Sequence, residues 1–336
     1  MLTSDVISLH VQREMRKNLI SDLIVSFNEK KVKFKDAIIE ENEISIKHQN
    51  LSNLNFDAYI DIEEFNKIVR SEVSIEWVRI KEQINNIENL LKTKSQPAWI
   101  VVSVYYCCFF MANLISKVYG KSLVNFSGGN LKELYKRSNT ESIISSDLRK
   151  AISEISDGNN NVYSMSFIPD KDNEIVKVQF LKSGDQPHKF TWTNLKSILN
   201  LVGQGKCGVK AIPNIAFMKK ICDSSEYRWP LPSQIRNDWN YSSTTSFTTS
   251  GTQQAEDFIR FLKNPSNIEM WETRMCHKTQ GNEKDKIVSI AYMYLVLKDV
   301  IFQLIVQNDM EFDIKKRLIN TSIEVKKNRN KKKARR

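Results

Sequence analysis

The stretch PAWIVVSVYYCCFFMANLIS, residues 97–116, decides the fold prediction for this chain. It is the centre of an uncharged segment that runs from Ser95 to Ser116, with lysines close to both ends. Because a segment of this length could cross a bilayer as a helix, a membrane span is one interpretation. Tyr105 and Tyr106 lie at its centre, however, whereas membrane helices carry tyrosine mainly at their interfaces with water. We therefore predict a helix that is apolar on all sides because other helices surround it, and no contact with a membrane.

The composition of the chain is that of an ordinary soluble protein. Its 336 residues, 41% hydrophobic and 26% charged, suffice for one large domain or two smaller ones. The N-terminal residues lack the basic and apolar regions of a secretory signal. The five cysteines and four histidines, among them His10, His48 and His188, show no spacing typical of a metal site. We expect a cytoplasmic protein with no metal and no cofactor.

The net charge of +11 is concentrated at the C-terminus. The last eleven residues, KKNRNKKKARR, carry eight positive charges, which leaves 11 − 8 = +3 for the other 325 residues. We predict that residues 316–336 form a disordered basic tail that attracts phosphates without sequence preference. The alternative is a terminus that only improves solubility. The predicted nucleic-acid-binding residues are Lys326, Lys327, Arg329, Lys331, Lys332, Lys333, Arg335 and Arg336.

The pattern of apolar residues predicts a mainly α protein with small antiparallel β insertions. Residues 1–60 are expected to hold an N-terminal helix over 1–28 and short strands, VKFKDAII (32–39), EISIKH (43–48) and LNFDAYIDI (54–62). Residues 61–315 are expected to form a helical domain with a β-containing insertion at about 121–230. Its three-stranded meander would comprise VYSMSF (162–167), EIVKVQFLK (174–182) and HKFTW (188–192). The main helices are predicted over 61–91, 97–116, 193–202, 233–241, 252–263 and 284–308, with one or two short helices in LKELYKR and DLRKAISEIS.

Two separate segments of the sequence resemble the HEPN family of helical domains. The string from Ile80 to Ser122 is similar to the first helical hairpin of that family, in which a Tyr-Tyr pair lies on the second helix and a glycine follows it. Tyr105, Tyr106, Phe109 and Gly120 match this pattern. The string PSQIRNDWNYSS, residues 232–243, resembles the second family signature, often written R-N-x-x-x-H.

The resemblance implies a HEPN-like helical bundle, frequently a homodimer, that in many members is a metal-independent ribonuclease. In such enzymes an arginine stabilises charge on the phosphate, and a histidine handles protons as the RNA 2′-hydroxyl attacks. Arg236 and Asn237 match the start of the motif, but the histidine position holds Tyr241. A phenol has an ordinary pKa near 10 and is a poor base at neutral pH. Asp238 and His277 are weaker candidates for the missing group.

A purely structural interpretation of the second segment competes with this one. In that interpretation Arg236 pairs with Asp238 at the start of a helix, while Trp239 and Tyr241 pack inward.

Two functions from different classes follow from the resemblance. The first is an RNA-directed effector of a prokaryotic antiphage-defence or toxin–antitoxin system, in which Arg236, Asn237 and Tyr241 form the site. The second is a non-catalytic subunit that binds nucleic acid, RNA rather than DNA, or a partner protein of the same operon. The tyrosine in place of histidine favours the second function, and the intact Arg-Asn pair favours the first.

Overall fold

A computed structural model describes most of the chain. The described residues are 2–20, 32–40, 44–50, 54–93, 97–137, 150, 153–156, 160–205, 211–223, 231–241, 249–263 and 283–306. Within them the protein is mainly helical, with one small antiparallel sheet. The helices are α1 Thr3–Lys17, α2 Phe34–Glu40, α3 Ile62–Lys92, α4 Pro97–Val118, α5 Gly128–Arg137, α6 Pro187–Gln204, α7 Ala211–Cys222, α8 Leu231–Tyr241, α9 Thr249–Lys263 and α10 Glu283–Val306. The strands are β1 Ser45–Asn50, β2 Asn55–Asp61, β3 Lys121–Ser127, β4 Asn160–Asp170 and β5 Ile175–Lys182.

The apolar stretch forms α4, which lies at the centre of the fold. It begins at Pro97, whose ring fixes a helical φ and whose missing N–H is not needed in the first turn. It packs against α3, α6, α8, α9 and α10, which bury most of its side chains, whereas Trp99 is exposed and Tyr106 and Phe109 are half-buried. Within the described part of the chain, α4 alone has the length and hydropathy of a membrane span, and 72% of that apolar window is buried inside the protein.

The end of α4 needs a glycine. Gly120 has φ +90°, a backbone conformation that side chains disfavour. A Cβ atom there would also come within 2.9 Å of Asn18 Nδ2 and 3.2 Å of the Phe167 ring. Gly120 therefore lets the chain turn directly from the central helix into β3, close to the end of α1.

An ion-paired lysine fixes the position of α3 relative to α4. Lys117, with a side chain only 16% exposed, contacts the carboxylates of Glu72 and Glu76, the latter at 2.8 Å. Burial acts to lower the pKa of Lys117, but the two glutamates outweigh it and raise that pKa. Nearer the N-terminus of α4, Gln83 Nε2 of α3 donates to the carbonyl of Ser103 at 3.1 Å. The two helices thus run antiparallel along most of α4.

The five strands form a single antiparallel sheet in the order β1-β2-β5-β4-β3. The predicted N-terminal strands and the predicted insertion strands are joined in it, because Phe56 of β2 pairs with Phe180 of β5. One face of the sheet is aromatic, and Phe56 stacks on Phe180 with 4.6 Å between ring centres. The predicted strands EISIKH, LNFDAYIDI, VYSMSF and EIVKVQFLK are therefore confirmed, apart from their exact ends.

Three local predictions were wrong, and two elements were missed. VKFKDAII forms α2 from Phe34 onward instead of a strand, and HKFTW lies inside α6. The apolar side chains from Trp192 to Val202 recur at helical spacing, and Pro187 begins that helix. The strand β3 and the helix α7 were not predicted. Pro213 did not prevent α7, because a proline in the first turn removes no helical hydrogen bond. The N-terminal helix ends at Lys17, short of residue 28.

Replacing Lys117 by alanine should lower the free energy of unfolding by about 3 kcal/mol or more, because two carboxylates lose their buried counter-ion. Urea denaturation measures this change. The control is Lys17→Ala, whose exposed ion pair with Glu14 should contribute within about 0.5 kcal/mol. Equal effects of the two substitutions would contradict the role given to Lys117.

Candidate functional site

Helix α8 places Arg236 against the central helix. Its buried residues Leu231, Ile235 and Trp239 face the interior, and α8 packs on α4. On the adjoining face, the guanidinium carbon of Arg236 lies 5.6 Å from the ring centre of Tyr105. The two segments that carry the sequence resemblance therefore meet in the fold. That contact is the starting point of the candidate site.

Arg236 is half-buried and makes no ion pair with any residue that the structure describes. Its Nε atom is buried and lacks a hydrogen-bond partner there. The predicted pair with Asp238 does not form; Asp238 Oδ1 instead accepts a hydrogen bond from Gln234 at 2.8 Å. Removing a charged group from water is unfavourable unless a partner replaces the lost solvation. The guanidinium is thus free to bind an anion, and its planar donors match phosphate oxygens well.

An imidazole lies beside this arginine, but it comes from a different helix than the sequence motif requires. His188 is in the first turn of α6, and its Nδ1 atom lies 2.7 Å from the hydroxyl of Tyr105. Its ring also packs against Phe109, with 4.4 Å between ring centres. No role was predicted for His188 from sequence, because the scattered histidines show no spacing that suggests a site.

The surroundings keep both members of the His188–Tyr105 pair uncharged. Burial lowers the pKa of His188 from 6.5, and the positive charge of Arg236 lowers it further. Burial raises the pKa of Tyr105, while Ser233, Arg236 and Trp192 act in the opposite direction. The Ser233 hydroxyl and the Trp192 indole face Tyr105 without full hydrogen-bond geometry. At neutral pH the pair is therefore a neutral imidazole bonded to a phenol.

Of the other predicted site residues, some lie near Arg236 on α8 and the rest lie outside the described part of the chain. Asn237 is half-buried on α8. Tyr241 ends that helix and is 73% exposed, so the prediction that it packs inward was wrong, whereas Trp239 is buried as expected. The Tyr241 ring nevertheless lies 5.9 Å from the Arg236 guanidinium carbon. His277 and the basic residues 326–336 lie outside the described residues.

Two other features of the described chain were compared with this site. No group of three or more histidine, cysteine, aspartate or glutamate side chains is arranged there to hold a metal ion. A cavity of about 250 Å³ lies between α2, α3 and the edge strand β3, lined mainly by apolar side chains such as Phe34, Val69 and Leu123. None of the predicted site residues lines it. The geometry around Tyr105 is thus separate from this cavity.

Comparison with protein-family models, with curated proteins and with solved structures found no match to this chain. The site itself provides a cation with no counter-ion among the described residues, a neutral imidazole and a phenol, all in contact around one tyrosine ring.

Substituting Arg236 by alanine should raise the pKa of His188, because one of the two causes that lower it is removed while burial remains. Titration of the imidazole protons by NMR spectroscopy measures this pKa directly. The variant Arg236→Lys keeps the charge and should leave the pKa lowered. An unchanged pKa in Arg236→Ala would show that the two groups do not interact as described.

Proposed function

We propose that this chain is a HEPN-like, nucleic-acid-directed protein that binds the RNA backbone at Arg236 and cleaves RNA without a metal ion. The observation that carries the proposal is the half-buried guanidinium of Arg236, which has no counter-ion among the described residues and lies beside the imidazole held by Tyr105. Arginine is suited to phosphate because its N–H groups can bind two oxygens at once. The resemblance to the HEPN family supports the same substrate.

Arg236 would stabilise the charge that develops on the phosphate during cleavage. The guanidinium is held between two tyrosine rings, 5.6 Å from Tyr105 and 5.9 Å from Tyr241. A cation oriented before the reaction stabilises developing charge without reorganisation of solvent. This arrangement supports a role in the transition state as well as in binding.

His188 would take the proton-transfer role that the motif gives to the residue at position 241. Its lowered pKa keeps the imidazole neutral at pH 7, as a proton acceptor requires. When Nδ1–H donates to the Tyr105 oxygen, Nε2 is left unprotonated and can accept the proton of the RNA 2′-hydroxyl. The 2′ oxygen then bonds to phosphorus, the bond to the 5′ oxygen breaks, and that oxygen takes a proton from water. The hydroxide left behind takes the proton that His188 accepted, which restores the neutral imidazole. The products are a 2′,3′-cyclic phosphate and a 5′-hydroxyl end.

The cellular context of the proposal rests on the resemblance alone. It comprises a cytoplasmic homodimer that serves antiphage defence or a toxin–antitoxin pair, with a partner protein encoded nearby.

Cleavage of a labelled RNA in the presence of EDTA tests the proposal. The variants Arg236→Ala and His188→Asn should each lower the rate by about 100-fold or more. The matched control is Arg260→Ala, an exposed arginine paired with Asp257 on α9, which should retain the wild-type rate. In Tyr241→Phe the rate should also be retained; its loss would return the proton-transfer role to Tyr241. Cleavage that survives in Arg236→Ala would contradict the site.

A non-catalytic binding subunit is the second candidate function, because tyrosine occupies the histidine position of the motif. In that case no variant or wild-type protein cleaves RNA, but Arg236→Ala still weakens the binding of a 2′-deoxy oligonucleotide. Loss of both activity and Arg236-dependent binding would refute both functions.

The basic C-terminus should contribute to binding independently of the site. Deleting residues 326–336 removes eight positive charges. For a single strand, each phosphate contact changes the slope of log K against log salt by about 0.7, so the slope should become shallower. The cleavage rate at saturating RNA should not change. An unchanged slope would favour the solubilising interpretation of the tail.

A further inference from the structure

A second arginine lies on an aromatic ring of the central helix. The guanidinium carbon of Arg79, on α3, is 3.7 Å from the ring centre of Phe110 on α4. Arg79 is exposed and makes no ion pair with a described residue. It thus repeats the arrangement of Arg236 on Tyr105, a guanidinium on an aromatic ring with its charge available to an anion.

A continuous series of rings joins the two arginines. Phe110 contacts Tyr106 with 6.2 Å between ring centres, and Tyr106 contacts Tyr105 at 5.2 Å. His188 joins the same cluster through Phe109, which also contacts Phe110 at 5.9 Å. Tyr106 and Phe109 are only partly buried, so their rings are accessible at the surface. The described side chains that connect the two arginines are therefore aromatic.

The two arginines are too far apart to bind the same phosphate. Tyr105 and Phe110 lie about 7.5 Å apart along the helix axis and about 140° apart around it, because each residue adds about 1.5 Å and about 100°. The two rings therefore point to different sides of α4, with Tyr106 and Phe109 between them. Two phosphates with at least one base between them match this spacing better than a single phosphate does.

We propose that Arg79, Phe110, Tyr106 and Phe109 form a second nucleotide subsite, which makes the site selective for single-stranded nucleic acid. Arg79 binds a further phosphate of the strand whose first phosphate lies at Arg236, and an unpaired base stacks on the partly exposed rings. Single strands bind in this way because a free base has an open face, whereas bases in a duplex already stack on each other. The inference rests on the proposed function, since Arg236 is taken to bind the first phosphate.

Binding of 2′-deoxy oligonucleotides of two to eight residues, followed by fluorescence anisotropy, tests the subsite. In wild type the affinity should rise with length until both arginines are occupied. Arg79→Gln should remove that rise and lower the affinity for the longer strands by about tenfold, the size expected for one lost hydrogen bond to a charged group. It should leave dinucleotide binding unchanged. Tyr106→Leu should act in the same direction, and the control Arg260→Gln should not.

The outcomes distinguish a failure of the second subsite from a failure of the proposed function. If Arg79→Gln binds every length as wild type does while Arg236→Ala is impaired, the subsite is refuted and the phosphate site survives. If Arg236→Ala also binds as wild type does, the proposed function fails. A duplex bound as tightly as a single strand of the same length would also refute the subsite. Thermal unfolding of each variant, expected to match wild type, excludes misfolding as the cause of lost binding.

Discussion

The structure depends on the burial of one helix that is apolar on every side. Because α4 has no polar face, it is stable in water only when other helices cover most of its surface. Helices α3, α6, α8, α9 and α10 supply that cover. The same requirement brings α6 and α8, which are distant in sequence, to neighbouring positions around Tyr105. The hydrophobic effect thus assembles the candidate site as a consequence of packing the core.

Two cations at α4, one at its C-terminal end and one at its middle, differ in their partners. At its C-terminal end the buried Lys117 is neutralised by two carboxylates, which is the usual solution for a charge removed from water. In its middle, Arg236 contacts only rings and a neutral imidazole among the described residues. A structural role would be served better by a paired arginine. The unpaired cation is therefore the feature that most strongly indicates a binding function.

Sequence periodicity predicted the parts of this fold that depend on local pattern. The long helices α3, α4 and α10 follow from their apolar spacing, and the turn after α4 follows from Gly120. Contact between Arg236 and the paired tyrosines could be expected only through the resemblance to a known family, since no periodicity places α8 against α4. His188 was missed for a related reason. HKFTW alternates as a strand does, and the helical pattern that overrides it becomes evident only when the segment is extended to Val202.

The order of the strands in the sheet could not be predicted from local pattern either. Each strand except β3 could be predicted from alternation, but their order could not, because the pairing of β2 with β5 joins segments more than a hundred residues apart. Tyr241 stands at the motif position, yet its side chain is exposed, while the imidazole comes from another helix. Spacing along one helix is thus an incomplete guide to a site that three helices build.

A crystal structure of the protein with a bound 2′-deoxy RNA dinucleotide tests the central claim most directly. The account predicts a phosphate oxygen at about 2.7–2.9 Å from the Arg236 guanidinium, with Nε2 of His188 facing the 2′ position of the sugar. A dinucleotide bound elsewhere, with Arg236 unoccupied or with His188 turned away from the sugar, would contradict it.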